Sequence, residues 1–133
     1  MVKSEGRTVL ADTGLGHAVT NPGTVQYMFG GTEGPLLDEL QSVGVQVGDI
    51  DTFFLTNLHL DHVGWNISRN GTGSQSPTFP NARYVAHESD WGAFNTPRDS
   101  EIFGFDWWSD TLAPLREGGV LDLVSGDTNL PPN

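Results

Sequence analysis

Five consecutive residues, Thr52 to Thr56, read Thr-Phe-Phe-Leu-Thr between Asp51 and Asn57. A run this short, apolar and rich in strand formers predicts a β-strand buried on both faces, and strands of that kind pair in parallel under a cover of helices. The strand then empties straight into Asn57-Leu58-His59-Leu60-Asp61-His62, which sets two imidazoles and a carboxylate within four positions.

The rest of the chain fits the sheet that this strand demands. Thr8 to Ala11 reads as a short buried strand, halted by Asp12-Thr13-Gly14-Leu15-Gly16. In the glycine-rich stretch that follows, Val25, Tyr27 and Phe29 alternate as one further short strand. Leu36, Leu37, Leu40 and Val43 recur at helical spacing, with Pro35 in the first turn and Gly44 just past the end. Residues 68–81 are polar in composition and predict a long loop, 82–86 a strand, and 88–95 a short helix. Trp107, Trp108, Leu112 and Leu115 give a second helical pattern, interrupted by Pro114 and stopped by Gly118 and Gly119, before a last strand over 120–124. Strands alternating with helices argue an α/β fold. In such sheets chemistry sits beyond the carboxyl ends of the strands, where the His59 loop lies.

Bulk properties narrow the partners. The 133 residues suit one domain over 1–133, and a net charge of −11 with six scattered Lys and Arg leaves no basic stripe. Nucleic acid and an anionic membrane surface are therefore not expected partners, and a small-molecule substrate is. No apolar run approaches the roughly 20 residues needed to span a bilayer. The absence of cysteine excludes disulfides and thiolate metal sites. The first residues lack the apolar core of a signal peptide, so a cytoplasmic chain is expected, and the sequons at Asn66 and Asn70 read as coincidence.

Imidazole nitrogen and carboxylate oxygen are ready ligands for zinc, and also for iron, manganese or cobalt. On one loop, His59 and Asp61 can aim at a common point while His62 turns elsewhere, so the three divide naturally between two neighbouring ions; ordinary polar loop residues are the competing account. Paired metals generate hydroxide and clamp a leaving oxygen.

"TVLADTGLG", "LLDELQSVGVQVGDIDTFFLTNLHLDHVGWN" and "FPNARYVAHESDW" together resemble the metallo-β-lactamase-fold hydrolases, in particular the branch with lactone-cleaving, quorum-quenching enzymes. The resemblance spans roughly residues 7–125. It implies an αββα sandwich and a metal-bound hydroxide that attacks a lactone, ester or thioester. The family motif is H-x-H-x-D-H, whereas this chain reads N-x-H-x-D-H, with Asn57 in the first position. By resemblance His59 belongs to a first metal site and Asp61 and His62 to a second. Asp61 would also assist proton transfer to the leaving group, and Asp12 of "ADTG" would support the loop.

The neutral Asn57 amide is a poor replacement for imidazole, and the family takes further ligands from later segments, whereas His87 is the only histidine after His62. The expectation is therefore about the first half of the sandwich, one mixed sheet with its helices. The alternative to a hydrolase is a truncated, degenerate homologue with weak or no metal binding and a structural or interaction role. His17 is expected to lie near the pocket, His87 to cap or pack, and Trp65 to border a substrate pocket. Phe103, Phe105 and Trp107 alternate, and read equally as an apolar flap over the site or as packing against the missing half. A sheet built for cover on both faces exposes apolar surface if one layer is missing. Self-association through that face is expected in sedimentation velocity, with a clean monomer of high, concentration-independent melting temperature as the contrary result.

Overall fold

A computed structural model describes residues 1–16, 34–94 and 107–129. Its main sheet has five strands: β1 (Val2–Ser4), β2 (Arg7–Ala11), β3 (Thr52–Leu55), β6 (Arg83–His87) and β7 (Leu121–Val124), which lie side by side in that order. β1 runs antiparallel to β2, and every other pair is parallel. The sheet is thus mixed, and β3 sits in its middle as its apolar run predicts.

Register explains which residues make the core. Leu10, Phe53, Tyr84 and Leu121 lie in one row across the sheet, and Leu55 and Ala86 share the same face. Most of that face is sealed: Leu10, Phe53, Leu55, Tyr84 and Ala86 are each at most 4% exposed. Phe53 stacks on Phe79 at 5.5 Å and meets Tyr84 at 5.3 Å. Leu40 of α1 (Leu36–Ser42) and Trp91 of α3 (Glu88–Phe94) pack into the same cluster. Helix α1 ends where expected, with Gly44 in the left-handed region at φ 75°.

Two local expectations are corrected. The polar stretch 68–81 does not form a long loop: β4 (Ile67–Arg69) and β5 (Gln75–Pro77) pair as an antiparallel hairpin. The Asn70 side-chain oxygen accepts from Thr72 N, Thr72 Oγ1 and Ser74 N at 3.1, 2.6 and 2.9 Å and closes the turn. Buried Ile67 and Phe79 anchor the hairpin at either end. The second correction is that the helix expected around Trp107 is two helices, α4 (Trp107–Thr111) and α5 (Ala113–Glu117). Pro114 has no N–H to continue the first and is suited to the opening turn of the second.

Trp107 is buried in α4, packed in the core. The Val25–Phe29 alternation, His17, Phe103 and Phe105 lie outside the described residues. Among the described residues no helix is long and apolar enough to cross a membrane. A four-residue helix, α2 (Leu60–Val63), follows β3 and carries the loop chemistry.

Tyr84 tests the core. Its hydroxyl accepts from Phe79 N at 3.1 Å and donates to Asn66 O at 3.2 Å. Burial raises its phenol well above the ordinary value. An unfolded tyrosine ionises near pH 10. Above that pH the unfolded state binds fewer protons than the folded one, so stability falls as pH rises past about 10. Tyr84→Phe is expected to remove that part of the alkaline loss, and to cost about 1–2 kcal/mol at neutral pH by leaving two buried backbone groups unpaired. Urea titrations at pH 7 and 10.5 check both.

Candidate metal centre

Because β2 and β3 are parallel neighbours, their carboxyl ends emerge together. Asp12 leaves β2 with its backbone N–H on Phe54 O at 3.0 Å. Its φ of 53° lies in the left-handed region, which aspartate tolerates better than most residues. That turn aims the carboxylate across at the start of the next loop. Asp12 Oδ1 accepts from Thr56 N at 2.9 Å, and Oδ2 accepts from Thr56 Oγ1 at 2.6 Å.

The same Oδ2 lies 3.0 Å from His62 Nδ1. A carboxylate accepts, so Nδ1 donates to it, and the Asn57 Nδ2 donor 3.0 Å from Nε2 makes that second nitrogen an acceptor. That Nε2 faces Asp61 Oδ2 at 3.5 Å. A nitrogen lone pair and a carboxylate oxygen this close together are a pair of donors that a cation could share, although Nε2 is here already bonded to Asn57. Metal-ligating histidines characteristically give their second nitrogen to a carboxylate in this way.

The backbone behind these side chains is clamped to the turn after β2. Thr13 N and Thr13 Oγ1 both donate to His62 O, at 2.9 and 3.1 Å, and Thr13 Oγ1 accepts from Trp65 N at 2.9 Å. Gly64 N donates to Gly14 O at 2.8 Å. Approach here is so close that a Cβ on Gly64 would stand 1.8 Å from Leu15 O, although Gly64 has ordinary helical backbone angles. Its lack of a side chain serves proximity rather than conformation. At Gly16, φ is 43° and a Cβ would meet the Trp65 ring at 2.6 Å, so conformation and proximity both exclude a side chain.

Asn57 ties the two histidines together. Its Oδ1 accepts from His59 N at 2.9 Å and from His59 Nδ1 at 3.0 Å. Its Nδ2 donates to His62 Nε2 at 3.0 Å. The His59 ring also meets Phe94 edge-on, with centroids 4.7 Å apart.

The donor types present suit zinc or a similar divalent ion, but their number does not complete a centre. Among the described residues no three His, Asp or Glu side chains converge on one point. Asp61 and His62 come together, and His59 is held by Asn57 instead. A catalytic zinc takes three protein ligands and a water, so no catalytic step follows from these residues alone. His87 acts elsewhere: its Nδ1 accepts from Ser89 N at 3.2 Å, capping α3. Trp65 lines a cleft of about 350 Å³ with Pro35, Leu37 and Asp38. Sequence reasoning overlooked Thr13, Thr56 and Gly64; the one signal for Gly64 was a glycine with no turn to make.

A family model described as the metallo-beta-lactamase superfamily matches residues 1–68. No curated protein matches. Among the solved structures that resemble this fold are the following three. One is a probable metal-dependent hydrolase from Staphylococcus aureus, with TM-score 0.74 and 20% identity over 98% of this chain and 44% of that one. Another is AidC, a dizinc quorum-quenching lactonase in complex with a product, with TM-score 0.62 and 20% identity over 96% of this chain and 42% of that one. The third is the hydrolase AbOPH of the beta-lactamase superfamily, with TM-score 0.60 and 22% identity over 90% of this chain and 40% of that one. The chain thus spans less than half the length of each.

Gly64→Ala is expected to cost about 3 kcal/mol or more, because the intruding methyl meets backbone that cannot swing away. Gly71→Ala, with nothing within 4 Å of the added carbon, is the control and should stay within about 0.5 kcal/mol. Denaturant midpoints of the two variants decide it.

Proposed function

The chain belongs to the metallo-beta-lactamase superfamily, and on that premise we propose that it carries the metal-binding loop of a metal-dependent hydrolase. The substrate class is a lactone, ester or thioester, a small molecule opened by water. Asp61 and His62 are the ligands that this stretch contributes to one ion, with His59 offered towards a second. Zinc is the first choice, while iron, manganese and cobalt suit the same donors. In this reading the remaining ligands come from outside the described residues.

One observation carries the proposal. The His62 ring is held between two carboxylates, with Nδ1 3.0 Å from Asp12 Oδ2 and Nε2 3.5 Å from Asp61 Oδ2. A histidine serving only to fill space has no need of a carboxylate behind it and a second in front. The similar folds of a dizinc lactonase and of two hydrolases agree with this class and do not choose among its substrates. When bound, an ion at such a centre lowers the pKa of water toward neutrality. The chain's own part is to hold and orient: Asp61 and His62 grip, Asp12 aligns, and the Thr13 to Gly64 clamp keeps the loop from swinging.

A second reading, a non-catalytic homologue with a structural or interaction role, draws on the Asn57 bridge between His59 and His62. Calorimetric titration with zinc separates the two. The parent chain is expected to bind weakly, His62→Ala to lose binding, and Asn57→His to gain at least tenfold in affinity by supplying an imidazole. Turnover of a lactone or thioester by the zinc-loaded protein, lost in His62→Ala, supports the hydrolase. Weak or no zinc binding by the parent, without turnover, supports the second reading, and no binding by either parent or Asn57→His contradicts the metal centre.

A further inference from the structure

Asn57 occupies a peculiar position for a residue that has lost a ligand's chemistry. Its amide is neither idle nor turned to solvent. One end accepts two bonds from His59 and the other donates to the nitrogen of His62 that faces Asp61. A primary amide has a donor end and an acceptor end, and here each end meets the matching group. His62 keeps its proton on Nδ1 because Asp12 takes it there, so Nε2 accepts from Asn57; His59 donates through Nδ1 to Asn57 Oδ1. Every polar atom of the bridge is paired without a cation.

We propose that the Asn57 side chain is an internal lock on the metal position: it holds the His62 lone pair that a divalent cation would use, and a cation enters by displacing it. This deepens the metal-centre reading above and rests on it. The lock has two consequences. The loop keeps its shape without an ion, since the Asn57 amide joins the two imidazoles by hydrogen bonds. Metal affinity is set by competition with a hydrogen bond as well as by the number of ligands.

The sign of one substitution separates a lock from a substitute ligand. Asn57→Ala removes a potential oxygen ligand and adds none. A lock predicts that this variant binds zinc more tightly than the parent, by about tenfold, which corresponds to about 1.4 kcal/mol. A substitute ligand predicts weaker binding. Asn57→Ala must first show the parent's circular dichroism and a cooperative melt. A second measurement uses the unaltered chain: ¹⁵N-labelled protein is expected to show a through-hydrogen-bond nitrogen–nitrogen coupling between the Asn57 amide and the His62 ring, and to lose it at saturating zinc.

Equal or weaker zinc binding by Asn57→Ala, or absence of the coupling in the zinc-free parent, overturns the lock. If zinc still binds the parent in those cases, the metal centre stands without the lock. If parent, Asn57→Ala and Asn57→His all fail to bind zinc, both fall together.

Discussion

One carboxylate joins the parts of this site. Asp12 reaches from the end of β2 to the backbone and hydroxyl of Thr56 at the end of β3, and on to the ring of His62. Its left-handed backbone costs of the order of 1–2 kcal/mol. Bonds to an ionised acceptor contribute roughly 1.5–3 kcal/mol each, so the three it makes outweigh that cost even after discounting for partial exposure. The same aspartate therefore stabilises the strand ends and sets the tautomer of the histidine beside them. Packing and chemistry are coupled at one residue.

That coupling needs rigidity behind it. The turn after β2 and the loop after β3 meet backbone to backbone, through Thr13 on His62 O and Gly64 on Gly14 O. Two glycines permit the approach, one for closeness alone and one for closeness and a left-handed angle. Below them the Phe53, Phe79 and Tyr84 cluster fixes the strand that delivers the loop. A side chain presented from such a frame keeps its direction, as selective ligation requires.

Much of this was legible in the sequence, for reasons that differ between elements. The β3 run was readable because apolar strand formers suit a central strand between two parallel neighbours. Helix α1 was readable because its apolar spacing, its leading proline and its trailing glycine agree. The β4–β5 hairpin was hidden: its strands are three residues long and polar, so the Asn70-Gly71 turn pair between them had no alternating apolar flanks to mark it as a hairpin. The break between α4 and α5 was signalled by Pro114, although apolar spacing ran through it. At the site, the polar residues and their place beyond a strand end were legible, and their role as metal ligands stands as the proposal. The bridge made by Asn57 was not legible, because a motif shows that an asparagine replaces a histidine and not which atoms its amide reaches.

The loop holds a hydrogen-bonded arrangement in which an amide joins two imidazoles, and the proposed alternative to it is a metal-bound one held by Asp61 and His62. Crystals of the chain grown with zinc, measured across the zinc absorption edge, test this most directly. The account predicts an anomalous peak within ligand distance of His62 Nε2 and Asp61, with the Asn57 amide withdrawn from His62. A density map at saturating zinc with no peak there, and with Asn57 still bonded to His62, would contradict it.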